Sequence, residues 1–153
     1  MYPYYFYTYN PYHYANFYRQ NQSTLVNDLQ KAINGEYSAI ICYEKLANMA
    51  KSQEEKNQIL EIRDDERKHL EAFSSIYTHL TGIEPVPQIS EECGATYTEG
   101  LIASFKDEQE TVDFYLDIAD SAHEPFIKEA FRRAAADEQN HAVWFSFFLM
   151  GQK

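Results

Sequence analysis

The sequence reads ERKH at residues 66–69 and EQNH at residues 138–141. Each quartet is a Glu-x-x-His pattern, and the two begin 72 positions apart. Another glutamate lies 30 residues before each quartet, at Glu36 and at Glu108. One arrangement of carboxylates and imidazoles therefore occurs twice in the chain with the same internal spacing.

The repeated residues lie on the apolar faces of four predicted helices. In each segment the apolar residues alternate by three and four positions, which is typical of the inward stripe of an amphipathic helix. A glutamate and a histidine three residues apart share one helix face, because 3.6 residues make a turn. Two tyrosines, Tyr43 and Tyr115, follow the upstream glutamates by seven residues and lie on the same stripes. The pattern thus predicts that these polar groups converge inside a helical bundle.

Such a cluster of carboxylates requires positive charge. Four buried carboxylates without counter-charge would cost far more free energy than the net stability of a domain. Two divalent cations would neutralise them, so the pattern predicts a dinuclear metal site. The predicted ligands are Glu36, Glu66, His69, Glu108, Glu138 and His141. Hard oxygen and imidazole donors without thiolate suit iron or manganese and tolerate zinc.

This constellation resembles the ferritin-like di-iron or di-manganese carboxylate proteins. In those proteins one glutamate from each of two helices joins a Glu-x-x-His motif from each of the other two. Within that class the chain is most similar to the rubrerythrins, over about residues 24–150. The resemblance implies an all-α, ferritin-like four-helix bundle with one long crossover between helices two and three. It also implies a homodimer.

The resemblance assigns roles to the ligands. It implies that Glu66 and Glu138 bridge the two metals and that Glu36 and Glu108 are terminal ligands. Each histidine would bind one metal.

Four further residues are expected beside the ligands. In the rubrerythrins, tyrosines placed like Tyr43 and Tyr115 hydrogen-bond to the terminal glutamates across the site, and we assign these two to the catalytic set. Their alternative role is aromatic filling of the core. Asp65 and Asp137 precede the two quartets, and ligating histidines usually donate their second N–H to a carboxylate. These aspartates are therefore candidate partners of the histidines, with ordinary surface acids as the alternative.

The resemblance implies redox chemistry on peroxide or dioxygen, of the peroxidase or ferroxidase type, in oxidative stress or iron handling. Rubrerythrins carry an extra glutamate about one turn from the third-helix ligand. The residues at those positions here are Ser104, Phe105, Thr111 and Val112, while Glu110 points roughly 200° around the helix. Peroxidase activity is thereby less favoured. A manganese catalase-like enzyme and a metal-binding structural or storage protein remain as alternatives.

Charge and cysteine content limit the partners. The formal net charge of −11 argues against nucleic acid and anionic membranes as partners.

We expect Cys42 to be a core residue and Cys93 an exposed thiol, with no disulfide framework. Rubrerythrins carry a rubredoxin-like iron centre built from two Cys-x-x-Cys pairs, and these 153 residues contain neither pair. A reductase would therefore need an external electron donor. The absence of a leader or an apolar run of 18 residues predicts a cytoplasmic protein.

Residues 1–22 form a tyrosine-rich segment ahead of the predicted domain at 23–153. The segment contains eight of the 13 tyrosines and a single formal charge. Proline at positions 3 and 11 argues against regular helix there, so the first helix is expected to start near Ser23 or Thr24. The tail is predicted to cover an apolar surface or to mediate assembly. Tyrosine-rich proteins of this kind resemble those of bacterial spore coats, so the location could also be spore-associated.

Overall fold

The computed structural model describes the backbone of residues 11–152 and the side chains of residues 22–152. Four α-helices account for most of these residues: α1 (Pro11–Met49), α2 (Gln53–Thr81), α3 (Tyr97–Ser121) and α4 (Pro125–Met150). Three residues join α1 to α2 and three join α3 to α4, whereas the connection between α2 and α3 spans residues 82–96. The all-α four-helix bundle with one long connection is confirmed.

The contacts across the bundle establish the direction of each helix. Tyr43 contacts Glu108 and Glu36 contacts Tyr115, so α1 and α3 run antiparallel. The short loop after α1 makes α2 antiparallel to α1 as well. Helices α2 and α3 are therefore parallel, as a single crossover requires.

Local capping chemistry sets the bounds of α2 and α3. Ser52 caps α2 by accepting a hydrogen bond from the backbone N–H of Glu55 at 3.1 Å. Thr96 and Glu99 form a capping box at the start of α3. Helix α2 ends at Gly82, whose φ of 74° lies in the left-handed region that favours glycine. The sequence predicts these two helices at about residues 54–79 and 96–122 and α4 at about 125–150, and the structure agrees to within two residues.

The predicted start of α1 is wrong. The helix begins at Pro11 and continues through Ser23 and Thr24, which therefore do not cap it. Proline is tolerated at the first helical position because the N–H that it lacks has no partner within the helix there. Residues 1–10 of the predicted tail lie outside the part of the chain that the structure describes.

The crossover runs alongside one face of α1. The Oδ1 atom of Asn34 accepts from the backbone N–H of Gln88 at 3.0 Å. The Oγ atom of Ser38 accepts from the backbone N–H of Ser90 at 2.9 Å. Two turns further along, Lys45 donates to the carbonyl of Gly94 at 3.4 Å. These contacts hold the crossover against the bundle.

A disulfide between Cys42 and Cys93 adds a covalent tie to the same face, with the Cα atoms 5.2 Å apart. The prediction of a core cysteine and an exposed free thiol is therefore wrong. Both residues are half-buried. The pairing could not be expected from residues 51 positions apart, because only the return of the crossover beside α1 brings them within bonding range.

The apolar core consists of two clusters with a polar layer between them. One cluster surrounds Phe73, Phe131 and Ile33, and the other surrounds Leu46, Ile62 and Phe145. In every helix the predicted ligands lie between the residues of these two clusters. None of the helices, over the residues described, has the long uncharged apolar run that a membrane span requires.

Candidate metal centre

All six predicted ligands are buried in the polar layer, with exposed fractions between 1% and 8%. Helices α1 and α3 contribute one glutamate each, and α2 and α4 contribute one Glu-x-x-His motif each. These side chains are Glu36, Glu66, His69, Glu108, Glu138 and His141. The structure thus brings the whole set together from four helices.

The six residues divide into two groups of four. One group is Glu36, Glu66, His69 and Glu138, and the other is Glu66, Glu108, Glu138 and His141. Within each group the potential ligand atoms all lie within 4.8 Å of one another. Glu66 and Glu138 belong to both groups, so the geometry is that of two adjacent cation sites with two carboxylates in common.

Both imidazoles direct Nδ1 into the cluster. The Nδ1 atom of His69 lies 3.1 Å from Glu66 Oε2 and 3.1 Å from Glu138 Oε1. The Nδ1 atom of His141 lies 3.0 Å from Glu66 Oε1 and 3.3 Å from Glu138 Oε2. Each histidine is therefore positioned to bind one cation through Nδ1.

The opposite ring nitrogens face the two predicted aspartates. The Nε2 atom of His69 lies 3.2 Å from Asp137 Oδ2, and that of His141 lies 3.5 Å from Asp65 Oδ2. Each aspartate thus faces the histidine of the other quartet. These two contacts link α2 to α4 on the side of the imidazoles that faces away from the glutamate cluster.

The two tyrosines contact the glutamates that belong to only one group. The hydroxyl of Tyr43 donates to Glu108 Oε1 at 2.5 Å, and that of Tyr115 donates to Glu36 Oε1 at 2.5 Å. Burial raises the pKa of both phenols, and the nearby carboxylates raise it further. Both hydroxyls therefore keep their protons and act as donors.

Without metal, the cluster retains protons. Burial lowers the pKa of His69 and His141, but hydrogen bonds to the surrounding carboxylates outweigh it and place both pKa values well above the usual range. Burial and the charges of neighbouring glutamates raise the pKa of Glu36 and of Glu108. These protons occupy the place of the positive charge that cations would supply, so metal binding should release them.

The donors present fit a pair of divalent cations. The Oε1 atoms of Glu66 and Glu138 are buried and have no hydrogen-bond partner. The nearby imidazole nitrogens approach them without hydrogen-bond geometry. Leaving a buried carboxylate oxygen unsatisfied is costly, and cation coordination removes that cost.

The comparisons with known proteins agree with this geometry. The rubrerythrin family model matches residues 99–151, which contain Glu108, Glu138 and His141. The uncharacterized protein YhjR of Bacillus subtilis (strain 168) is 54% identical over 144 residues, covering 94% of this chain and 97% of that protein. The chain is a rubrerythrin-like, ferritin-like protein.

Solved structures share the fold of this rubrerythrin-like chain. A ferritin-like, diiron-carboxylate protein from Bacillus anthracis str. Ames superposes with a TM-score of 0.71 at 24% identity, covering 84% of this chain and 97% of that one. A hypothetical protein from Pyrococcus furiosus gives a TM-score of 0.72 at 23% identity, covering 82% and 88%. At these identities the likeness shows the fold alone.

The surroundings of Glu108 differ from those expected of a typical rubrerythrin. One turn before it, the buried Oγ of Ser104 has no hydrogen-bond partner. One turn after it, Thr111 lines a small cavity beside the ligands. Glu110 is exposed and lines a separate, larger cavity of about 350 Å³. The additional carboxylate of the family is therefore absent from these helix positions.

Two acidic residues that sequence reasoning missed lie near the site. Asp107 lines both the small cavity beside the ligands and the larger one. Burial raises the pKa of Asp107 to about 8, and the adjacent Glu91 of the crossover contributes to this rise. The Oε1 atom of Glu91 also lies 3.9 Å from the position that a Cβ on Gly35 would take. Asp107 adjoins a predicted ligand in sequence, but nothing in the irregular crossover pointed to Glu91.

Proposed function

We propose that this rubrerythrin-like protein is a di-iron oxidoreductase that acts on peroxide or dioxygen. The observation that supports this proposal best is the pair of buried four-residue groups with two carboxylates in common. The donor set suits metals that change between the divalent and trivalent states, iron first. Iron bound there would supply the redox chemistry.

In this proposal each ligand has a defined task. Glu66 and Glu138 would bridge the two metals, because each belongs to both groups. Glu36 and Glu108 would each hold one metal as a terminal ligand, and one histidine would bind each metal through Nδ1. Carboxylates drawn from four rigid helices would stay in place as the metal charge changes.

The surrounding residues position these ligands. Tyr43 and Tyr115 donate hydrogen bonds to the terminal carboxylates from the opposite helix, which fixes the oxygen that is left for the metal. Asp65 and Asp137 accept from the outer nitrogen of the histidines and so hold the tautomer that leaves Nδ1 free to coordinate. The two apolar clusters exclude water from both ends of the layer.

Two alternatives make different predictions. A manganese catalase-like enzyme is favoured by the symmetric six-ligand set without a carboxylate at the positions one turn before or after Glu108. A structural or storage protein would bind the metals as cargo or as a staple, and the tyrosine-rich segment would drive its assembly. The location that we propose is cytoplasmic, or spore-associated in the last case. We also propose a homodimer, an external electron donor for any reductase activity, and no nucleic-acid or membrane partner.

Aerobic titration of the metal-free chain with ferrous iron tests the leading function. We expect rapid oxidation that saturates at two irons per chain. Oxygen release from peroxide only after loading with manganese would favour the catalase alternative. Metal bound without any turnover would leave the structural alternative.

Substitution of a bridging residue tests the ligand assignment. Glu66→Ala and Glu138→Ala each remove the carboxylate that both metals share, so we expect loss of stable dinuclear binding. Glu71→Ala removes an exposed glutamate of α2 and is the matched control. Unchanged metal stoichiometry in either bridging variant would refute the assignment.

A further inference from the structure

The disulfide lies beside the metal centre rather than at a remote edge of the fold. Cys42 and Cys93 both line the cavity of about 350 Å³, together with Tyr43, Ser104 and Asp107. Tyr43 and Asp107 also line the small cavity that contains Glu36, Glu66, Glu108 and Glu138. The two cavities therefore have lining residues in common, and the disulfide lines the cavity next to that of the ligands.

The chain also connects the sulfur atoms to the ligands directly. Cys42 precedes Tyr43, whose hydroxyl donates to Glu108 at 2.5 Å. Cys42 follows Glu36 by six residues on the same helix, which is about 9 Å along the axis at about 1.5 Å per residue. One covalent and hydrogen-bonded path thus runs from the sulfur to a ligand.

Reduction of a peroxide to water takes two electrons and two protons. A pair of thiols that closes to a disulfide releases the same number of each. Cys42 and Cys93 are the only cysteines in these 153 residues, and neither belongs to a Cys-x-x-Cys motif. Disulfides of cytosolic proteins, the compartment proposed above, are usually transient and catalytic or redox-sensing.

We propose that Cys42 and Cys93 form a two-electron donor to the dimetal centre and that the disulfide is its oxidised form. This inference rests on the proposed peroxide chemistry. Two S–H bonds break and one S–S bond forms, which releases two electrons and two protons. The O–O bond of one hydrogen peroxide breaks, and these electrons and protons complete two water molecules. An external thiol reductant then reopens the disulfide by thiol–disulfide exchange.

The fold keeps the two thiols close together when the disulfide is reduced. Hydrogen bonds from Gln88 to Asn34 and from Ser90 to Ser38 lie on one side of the pair along α1. The contact between Lys45 and Gly94 lies on the other side. The crossover therefore stays against α1 in the dithiol form, and reoxidation requires no large rearrangement.

Electron counting tests the proposal. The 153-residue chain is reduced with a dithiol under anaerobic conditions, freed of reductant, and loaded with two ferrous ions. Hydrogen peroxide is then added in small portions, and the ferric absorbance and the free thiols, counted by alkylation and mass spectrometry, are followed together. We expect two equivalents of peroxide to be consumed per chain, because two ferrous ions and two thiols hold four electrons. The thiols should be lost as one intramolecular disulfide.

Three comparisons make the test decisive. Cys42→Ser should consume one equivalent while keeping its helical content and its two metals. The zinc-loaded and metal-free proteins should form the disulfide at least about tenfold more slowly than the iron-loaded protein. Equal rates in the three wild-type forms would show that peroxide attacks the thiols directly and would overturn the proposal. Ferric absorbance with both thiols intact would overturn it too, leaving a structural disulfide and an intact di-iron function. Failure of peroxide to oxidise the bound iron would overturn the proposed function as well.

Discussion

Asp65 and Asp137 show how the site couples residues that sequence places far apart. Each aspartate faces the outer nitrogen of the histidine in the opposite quartet, at 3.5 Å and 3.2 Å respectively. A carboxylate there fixes the ring orientation and makes the imidazole a better ligand. Because both rings are buried, their outer nitrogens need a hydrogen-bond partner within the protein.

We therefore expect Asp65→Asn and Asp137→Asn each to weaken metal affinity by roughly 10–100-fold. Asp64→Asn removes an exposed aspartate next to Asp65 and is the matched control. Competition with a chelator of known affinity measures the effect. Wild-type affinity in both variants would show that the two aspartates are ordinary surface acids and do not support the histidines.

Asp107 should make the stability of the metal-free protein depend on pH. Burial, followed by the charge of Glu91, raises its pKa to about 8, whereas an unfolded aspartate has a pKa of about 4. A carboxyl whose pKa is higher in the folded state stabilises the fold fully below the unfolded pKa, and this stabilisation is lost as pH rises toward the folded pKa. Between about pH 4 and pH 8, wild type should therefore lose stability relative to Asp107→Asn.

Urea unfolding of the chelator-treated proteins at pH 5 and pH 8 measures this difference. Asp113→Asn, an exposed aspartate of the same helix, is the matched control. We expect the advantage of wild type over Asp107→Asn to shrink at the higher pH. If the difference between these two proteins is the same at both pH values, Asp107 does not carry the linkage.

The ligands were predictable from sequence because their chemistry contradicts their helical positions. Burying a glutamate such as Glu66 on an apolar stripe costs much free energy unless a positive charge balances it. The same pattern recurs at Glu138, which strengthens the prediction. Asp107 and Glu91 were not predictable in this way. Their roles depend on how the crossover folds back against α1. The crossover is irregular, so the helical periodicity of the sequence does not predict its course.

At the level of elements, Gly100 permits close contact between α3 and α1. A Cβ at Gly100 would lie 2.3 Å from Leu46 Cδ2, and Leu46 is fully buried. Gly35, which sits beside a ligand, has no such constraint, since its nearest neighbour would be Glu91 Oε1 at 3.9 Å. Two glycines inside helices thus have opposite packing environments.

This contrast gives a matched pair of substitutions. Gly35→Ala should stabilise the fold by up to about 1 kcal/mol, because alanine favours the helix by that amount. Gly100→Ala gains the same preference but overpacks the core, which costs about 1–3 kcal/mol, so we expect net destabilisation. Denaturant unfolding of both variants measures the two signs. A stabilised Gly100→Ala would mean that Leu46 can move aside without cost.

The helices themselves were largely predictable, with one instructive exception. Caps and turn residues determine the bounds of α2, α3 and α4, and these signals are local. The start of α1 was missed because proline was expected to interrupt the helix, whereas Pro11 is its first residue. The disulfide was also missed, because it depends on the crossover and not on either helix.

At the scale of the whole molecule, the bundle is an acidic layer held between two apolar clusters. Described side chains of α4 also leave an apolar stripe in solvent, with Val143, Phe147 and Met150 each more than half exposed. These residues are spaced by four and three, so they share one face of the helix. If the proposed homodimer forms, we expect its contact at this face.

The last prediction concerns residues 1–22. Among the described side chains, the core begins at Leu29, with Leu25 packed against it. Both clusters and all six ligands therefore lie beyond residue 22, so deleting residues 1–22 should leave a folded chain that binds two metals. The deletion removes residues 11–22 of α1, and helical content should fall by about those 12 residues and no more.

Deleting residues 1–10 alone keeps all of α1 and is the matched control. Circular dichroism, metal analysis and molecular mass in solution compare the three chains. We expect the mass or the solubility to change, because aromatic arms favour contacts with other surfaces. A larger loss of helix would show that the segment stabilises the bundle, and equal mass and solubility in all three would remove its role in assembly.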